Sequence, residues 1–171
     1  MTSGRPGGAV VWVTGLPASG KSTFARRLRE RLAALGRPAA LLDGDAVRAS
    51  LHPRPGYDPA ARAAFYETLG DLALLLAGDG LVAVVAATAN RRAYRDRVRA
   101  RAPRFVEVHL AVAAETCAAR DPKGLWARAR AGAAPELPGA GQEYEPPVAP
   151  EVVATGGEDD AAVDAALAAL A

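Results

Sequence analysis

Short apolar stretches alternate along the chain with longer segments of helical periodicity. The stretches are rich in valine, leucine and alanine, and most of them end at a glycine or a polar residue. Runs of this length and composition are typical of strands that are buried in a parallel sheet. They predict strands at 9–14, 38–42, 81–89, 105–112 and 151–155.

Between these stretches, apolar residues recur every three or four positions, as they do on the buried face of an amphipathic helix. The two clearest faces consist of Phe24, Leu28, Leu32 and Leu35, and of Phe65, Leu69, Leu72 and Leu76. Helices are predicted at 21–35, 46–51, 60–77, 91–101, 114–119, 124–131 and 158–170. The alternation predicts an α/β fold with one five-stranded, doubly wound parallel sheet that helices cover on both faces.

Polar or glycine-rich residues follow three of the predicted strands, in the segments 15–22, 43–48 and 88–92. Ligands of doubly wound sheets bind outside the carboxyl ends of the strands. We therefore expect these three segments to meet in one crevice, although each was recognised separately.

The composition narrows the range of functions. The 171 residues predict a single domain over 1–171, and a net charge of +2, with arginine spread over several segments, argues against a nucleic-acid partner. No apolar run is long enough for a membrane span, and no signal segment is expected. The single cysteine, Cys117, fits a reducing compartment and a cytoplasmic location, and we expect it to be a small buried residue.

The segment GLPASGKS, Gly15–Ser22, matches the phosphate-binding loop (P-loop) pattern and lies between a predicted strand and a predicted helix. Its glycines let backbone N–H groups point at phosphates, and the following helix offers its positive end to the same anion. Lys21 is expected at the β- and γ-phosphates of ATP, and the Ser22 hydroxyl at Mg²⁺. The residues expected to bind ATP here are Gly15, Leu16, Pro17, Ala18, Ser19, Gly20, Lys21, Ser22 and Thr23. Strand, loop and helix together predict a three-layer P-loop NTPase fold.

The turn Asp43-Gly44-Asp45 ends the next predicted strand. Two carboxylates separated by one glycine can face either Mg²⁺ or an acceptor hydroxyl. The strand at 81–89 contains no carboxylate, and no guanine-reading Asn-Lys-x-Asp occurs in the chain. Both observations favour a small-molecule kinase over a switch GTPase or a motor ATPase.

The segment Arg120-Asp121-Pro122-Lys123-Gly124 opens a long region rich in proline, glycine and alanine. Cationic residues on such a segment can close over phosphates as a flap and exclude water. A solvated surface loop is the alternative that the residues alone leave open.

The order and spacing of five motifs resemble those of adenylylsulfate kinases, which phosphorylate the 3′-hydroxyl of adenosine 5′-phosphosulfate (APS). The motifs are GLPASGKST, LDGDAVR (42–48), FVEV (105–108), RDPKGLWARARAG (120–132) and YEPP (144–147). The resemblance covers about residues 9–165, and it implies ATP and Mg²⁺ as cofactors, a flap over about 120–143 and a possible homodimer.

The resemblance also implies roles for individual residues. Asp45 is similar to the acidic residue at the acceptor hydroxyl, and Asp43 to its partner at a water on Mg²⁺. Arg48 and Arg62 resemble the arginines that hold the sulfate and phosphate end of APS. Tyr57 stands where the family has a phenylalanine that stacks on the adenine.

The remaining implied contacts lie on cationic residues. Lys123 is in the flap motif that contacts APS, Arg120 resembles the flap arginine near ATP, and Arg92 matches the family's arginine after the third strand. The other arginines of the same predicted helix are expected on a solvated face; they are Arg91, Arg95, Arg97 and Arg99.

The chain departs from the family pattern on the acceptor side. Phe65 replaces an asparagine that contacts APS, Glu67 replaces a cation, and Leu137 stands for the second adenine-stacking phenylalanine. Ala89 occupies the position of a serine that is phosphorylated in some members, so no phosphoserine can form there.

Thr88 and Ala89 are nevertheless expected at the acceptor, with Phe65 and Leu137 as its altered apolar walls.

The sequence leaves three candidate functions. The first is an ATP-dependent APS kinase that forms 3′-phosphoadenosine 5′-phosphosulfate (PAPS). The second is a kinase of the same lineage for another nucleotide, nucleoside or metabolite hydroxyl. The third is a non-catalytic nucleotide-binding module, against which the Asp43 and Asp45 pair argues.

Overall fold

The computed structural model describes residues 7–171 and contains a five-stranded sheet. Its strands are β1 (Ala9–Gly15), β2 (Ala39–Asp43), β3 (Val82–Ala86), β4 (Phe105–Leu110) and β5 (Val152–Ala154). All neighbouring strands pair in parallel, in the order β2-β3-β1-β4-β5. The predicted α/β fold with a five-stranded parallel sheet is thus confirmed.

Seven helices connect or follow these strands in the described part of the chain. They are α1 (Lys21–Ala34), α2 (Gly44–Ser50), α3 (Pro59–Gly78), α4 (Arg92–Arg99), α5 (Ala114–Arg120), α6 (Leu125–Arg130) and α7 (Asp160–Ala169). Asp43, Asp58 and Asp159 begin α2, α3 and α7 by accepting hydrogen bonds from free backbone N–H groups. None of the helices described over residues 7–171 is both long and apolar enough to cross a membrane.

The two faces of the sheet carry separate cores. Every residue of β1 is buried, and its side chains alternate between the faces as the strand period of two requires. Val11 and Val13 pack with α1 and α7, whereas Val10 and Trp12 pack with α3 and α4. The central strand is therefore fixed from both sides, which gives the loop after it a rigid base.

Strand β3 is shorter than the predicted 81–89. Ala86 pairs with Val13 on one side and with Asp43 on the other, and both neighbouring strands end near this level. The segment 87–90 has no full strand partner. The Ala87 N–H still donates to the Val13 carbonyl oxygen, and other backbone groups of the segment bond to the side chains of Trp12 and Tyr66. The segment therefore lies beyond the carboxyl end of β3, with Ala87 against Gly44 at the start of α2.

The buried face of α3 also differs from the prediction. Phe65 and Leu69 are buried as expected, but Leu72 and Leu76 are only half-buried. The helix instead packs its small residues inward, because they allow a close approach: a Cβ on Gly70 would lie 2.7 Å from Val98 Cγ2. Leu35, the last residue of the predicted face of α1, lies beyond the helix and is exposed.

Candidate active site

The P-loop joins the buried strand β1 to α1 at the carboxyl edge of the sheet. Gly20 has a φ of +100°, and a Cβ at this position would lie 2.7 Å from Gly157 N. Ala18 also has a positive φ, of 66°. The loop therefore curls tightly and presents the first N–H groups of α1 to an anion.

Lys21 begins α1 and turns back over the loop. Its Nζ donates a hydrogen bond to the Leu16 carbonyl oxygen at 2.9 Å. Burial lowers the pKa of the Lys21 ammonium to about 8, since only weaker attraction by Asp45 and other groups opposes desolvation. A desolvated ammonium is therefore stabilised when the negative charge of a polyphosphate binds beside it.

Ser22 and Asp43 meet although 21 residues separate them. Ser22 Oγ donates to Asp43 Oδ2 at 2.5 Å, while Asp43 Oδ1 accepts from the N–H of Asp45 at 3.1 Å. Hydroxyl and carboxylate oxygens are ligands that Mg²⁺ accepts, alongside waters and substrate phosphates. This pair fits a Mg²⁺ that a nucleotide also ligates, and no group of three or more metal-ligating side chains occurs within residues 7–171.

Asp45 lies in the first turn of α2, with its carboxylate exposed. The Lys123 ammonium of the flap forms an ion pair with Asp45 Oδ2. This hydrogen bond raises the pKa of Lys123, and it brings two predicted site residues from opposite ends of the crevice into contact. The flap segment thus reaches the carboxylate that is expected at the acceptor hydroxyl.

Arg120 lines an open cleft beside the P-loop, together with residues that follow β5. These residues are Thr155, Gly156, Gly157, Glu158, Asp159 and Asp160. Gly157 lies against Thr23, because a Cβ on this glycine would be 2.9 Å from Thr23 Cβ. The loop after β5 was not predicted as part of the site, although its Gly-Gly pair directly after a strand is a usable signal.

The flap shares a small core with α5, and Leu16 and Ala18 of the P-loop pack against it. Cys117, Trp126, Ala134 and Leu137 are buried together in it. Trp126 Nε1 donates to the Pro17 carbonyl oxygen at 3.0 Å, which ties the flap to the P-loop. Leu137 is therefore an interior residue of the flap, and the acceptor contact expected of it stays a prediction.

Two arginines of the predicted acceptor site are buried. Arg48 Nη1 donates to the carbonyl oxygens of Pro55 and Gly56, at 3.3 and 2.8 Å. Arg62 Nη2 donates to the carbonyl oxygen of Glu136 at 2.9 Å, which connects α3 to the flap. Both arginines therefore hold neighbouring segments of the crevice in place.

Aromatic rings surround Arg48. Its guanidinium carbon lies 3.9 Å from the centroid of Phe65 and 4.4 Å from that of Tyr57. Phe65 is buried beneath the arginine, so it supports Arg48 instead of forming the open apolar wall that the sequence suggested. Tyr57 is about half exposed, whereas Glu67 lies on the solvent side of α3.

The segment after β3 is held through its backbone. The Thr88 carbonyl oxygen accepts from Thr14 Oγ1 at 2.6 Å. Ala89 is fully buried with a φ of +42°; its N–H donates to the Tyr66 hydroxyl and its carbonyl oxygen accepts from Arg95 Nη1. The main-chain groups of Ala89 are thus already used within the protein, and the acceptor contact expected of Thr88 and Ala89 stays a prediction.

Arg95 corrects the expectation of a solvated arginine face on α4. Its side chain is 1% exposed, and Nε donates to Glu107 Oε1 at 2.7 Å. Nη2 donates to the carbonyl oxygen of Glu145 at 2.7 Å, so Arg95 joins three segments around the crevice. Arg92, by contrast, is exposed and contacts the Pro146 carbonyl oxygen, and the acceptor contact expected of it stays a prediction.

We expect Arg95→Met to lower the free energy of unfolding by about 3–5 kcal/mol, because Glu107 would lose a buried partner. Urea unfolding followed by circular dichroism measures this loss. Arg97→Met on the same helix is the matched control, since Arg97 pairs with Asp71 at the surface and should cost at most about 1 kcal/mol. Equal losses in the two variants would contradict the structural role of Arg95.

A family model described as "Adenylylsulphate kinase" matches residues 7–155. The chain belongs to the adenylylsulfate kinase family. The match includes the P-loop, the Asp43 and Asp45 turn and the whole flap. The resemblance seen in the motifs is thereby confirmed.

Individual members of the adenylylsulfate kinase family agree with this assignment. The adenylyl-sulfate kinase of Vibrio parahaemolyticus is 43% identical over 152 residues, which are 88% of this chain and 74% of that protein. The adenylyl-sulfate kinase of Citrobacter koseri is 46% identical over 147 residues, or 85% and 73% of the two chains. The APS kinase of Mycobacterium tuberculosis, solved with AMPPNP and APS, superposes with a TM-score of 0.85 at 35% identity, over 96% of this chain and 98% of that one.

Proposed function

We infer that this protein transfers the γ-phosphate of ATP to the 3′-hydroxyl of APS and releases PAPS and ADP. One observation carries the inference. The Ser22–Asp43 contact and the Asp45–Lys123 contact share the first turn of α2, so the phosphate side and the acceptor side of the crevice adjoin. Membership of the adenylylsulfate kinase family supports the same reaction.

ATP would lie along the P-loop, with its phosphates on the N–H groups at the start of α1 and the Lys21 ammonium beside them. Ser22 and Asp43 would hold Mg²⁺, which neutralises phosphate charge when it is bound. Arg120 and the loop after β5 line the adjoining cleft, and we propose that the base of ATP binds there.

The acceptor would lie between α2, α3 and the flap. We propose that Asp45 orients the 3′-hydroxyl and accepts its proton, because its carboxylate is exposed beside the Ser22–Asp43 pair. Arg48 and Arg62 would face the phosphosulfate group, and the half-exposed ring of Tyr57 offers a surface for the adenine. Lys123 would leave Asp45 or share it with the acceptor when the latter binds.

The reaction then forms one bond and breaks one. The acceptor oxygen attacks the γ-phosphorus, the bond from that phosphorus to the β–γ bridging oxygen breaks, and ADP leaves. The proton of the hydroxyl passes to Asp45. Lys21 stabilises negative charge on the phosphoryl oxygens in the transition state, and the closed flap keeps water from competing as acceptor.

The decisive experiment is ADP release by the purified protein with ATP and Mg²⁺, with APS compared against a panel of nucleosides, nucleotides and hydroxylated metabolites. We expect turnover that depends on APS and yields PAPS. Turnover with another acceptor alone would establish the second hypothesis, a kinase of changed specificity. ATP binding without turnover on any acceptor would leave only the nucleotide-binding module.

Assembly and location are further predictions. A homodimer is expected, and light scattering coupled to gel filtration measures the mass of the particle. The cytoplasmic location predicted from the single cysteine is tested by fractionation of cells that express the protein.

A further inference from the structure

Arg48 is enclosed by two aromatic rings from different parts of the chain. Phe65 comes from the long helix α3 and lies 3.9 Å from the guanidinium carbon, while Tyr57 comes from the preceding loop and lies at 4.4 Å. Phe65 is 3% exposed and Arg48 4% exposed. Two ring faces at these distances restrict the orientation of the guanidinium, which the flexible arginine side chain alone does not ensure.

Within the described chain, one nitrogen of the Arg48 guanidinium bonds to the protein backbone, and the other two do not. Nη1 is occupied by the carbonyl oxygens of Pro55 and Gly56. Nε and Nη2 make no hydrogen bond to the residues that the structure describes, and they are not among the buried polar atoms without a partner. These two donors are therefore unpaired within residues 7–171 but not fully sealed from solvent, although Arg48 as a whole is buried. Nε and Nη2 form one edge of the guanidinium fork, which is the geometry that binds two oxygens of an anion.

We propose that Phe65 is a positioning residue that sets the acceptor selectivity of this kinase through Arg48. Its ring fixes the plane of the guanidinium, so that the free Nε and Nη2 edge meets two oxygens of the acceptor's anionic end. The proposal rests on the proposed function, since it takes a sulfated or phosphorylated nucleotide as the acceptor. It replaces the idea that Phe65 itself touches the substrate.

Phe65 is better suited to this role than Tyr57. It is closer to the guanidinium, it is almost fully buried, and it belongs to a helix that packs on the sheet core. Tyr57 lies in a loop and is 47% exposed, so its second face stays available to a ligand. The buried ring of Phe65 and the half-exposed ring of Tyr57 thus have different roles around one arginine.

A double-mutant cycle tests the proposal with Phe65→Leu, Arg48→Met and the two combined. We expect Phe65→Leu to raise the KM for APS about tenfold, which is the effect of losing one contact between a cation and an aromatic ring. The kcat and the KM for ATP should change less than threefold. In the Arg48→Met background, Phe65→Leu should change the KM for APS less than twofold. Equal effects in both backgrounds would show a merely structural role and overturn the proposal.

Phe105→Leu is the matched control, because the Arg99 guanidinium lies 4.6 Å from the Phe105 ring in a similar contact at the start of β4. This variant should leave the KM for APS unchanged. Isothermal titration of APS to each variant separates the two proposals. APS binding that depends on Phe65 only when Arg48 is present, without turnover, sinks the proposed function alone; turnover without this coupling sinks the role of Phe65 alone. If APS neither binds nor reacts, both proposals fail.

Discussion

Replacing Asp45 by asparagine should lower kcat about a thousandfold, within the 10²–10⁴ range of a lost general base. Asparagine keeps the size of the side chain but can neither take the proton of the acceptor hydroxyl nor repeat the ion pair to Lys123. The KM for ATP should change little, because the Ser22–Asp43 contact remains. Steady-state ADP release, with ATP and APS varied in turn, measures these constants.

Asp164→Asn is the matched control for Asp45→Asn. Asp164 of α7 is also an exposed aspartate in an ion pair, with Arg31 in the last turn of α1, and it lies outside the crevice. Its replacement should leave kcat unchanged. An Asp45→Asn enzyme with near-normal kcat would falsify the role of this carboxylate, and would move the search for the base to a water or to the substrate itself.

Lys21→Met should lower kcat at least a hundredfold, since the loss of one preorganised charge partner costs about 3 kcal/mol in the transition state. Methionine retains the apolar stem of lysine and loses the ammonium that donates to Leu16 and is expected to reach the phosphates. The scarcity of lysine supports this expectation: the chain contains only two, Lys21 and Lys123, against 19 arginines.

The stability of Lys21→Met distinguishes lost chemistry from lost folding. Burial lowers the pKa of the Lys21 ammonium to about 8, so the charge is held at a cost in the ligand-free protein. The midpoint of thermal unfolding without ATP should therefore stay the same or rise, while the rise in midpoint that saturating ATP produces should shrink. A large fall in the midpoint without ATP would mean that Lys21 supports the fold.

The edge of the sheet that carries the candidate site could be predicted because parallel strands place their carboxyl ends together. Each motif was local, and the alternation of strands and helices decided that Gly15–Ser22, Asp43 and Asp45 would meet. No distance was available from the sequence. The contact of Ser22 with Asp43 depends on the register of β2 and β3, which only the packed sheet determines.

The buried arginines could not be predicted from periodicity, which treats arginine as a surface residue. Arg95 is buried because Glu107 lies in the adjacent strand β4, and a carboxylate inside an apolar strand needs a buried partner. That glutamate, within Phe-Val-Glu-Val, was a usable signal. The burial of Phe65 against Arg48 could not be predicted for a related reason, because Arg48 comes from another helix.

The structure of the flap could be predicted least from the sequence. Its residues lack a clear period, so the burial of Leu137 with Cys117 and Trp126 could be seen only in the folded chain. Motif resemblance gave positions for the flap residues but no information on which side chains point inward. The ties from the flap to Pro17 and to Arg62 were equally invisible, because both use backbone carbonyl groups.

The two tryptophans are intrinsic fluorescence probes. Trp12 is fully buried in the central strand, where its indole N–H donates to Ala87, so its emission should stay constant. Trp126 instead bridges the flap and the P-loop through Pro17. A movement that separates these two segments should expose the indole of Trp126 to water and shift its emission to longer wavelength. Stopped-flow fluorescence of the unlabelled enzyme can thus time each opening of the crevice against product release.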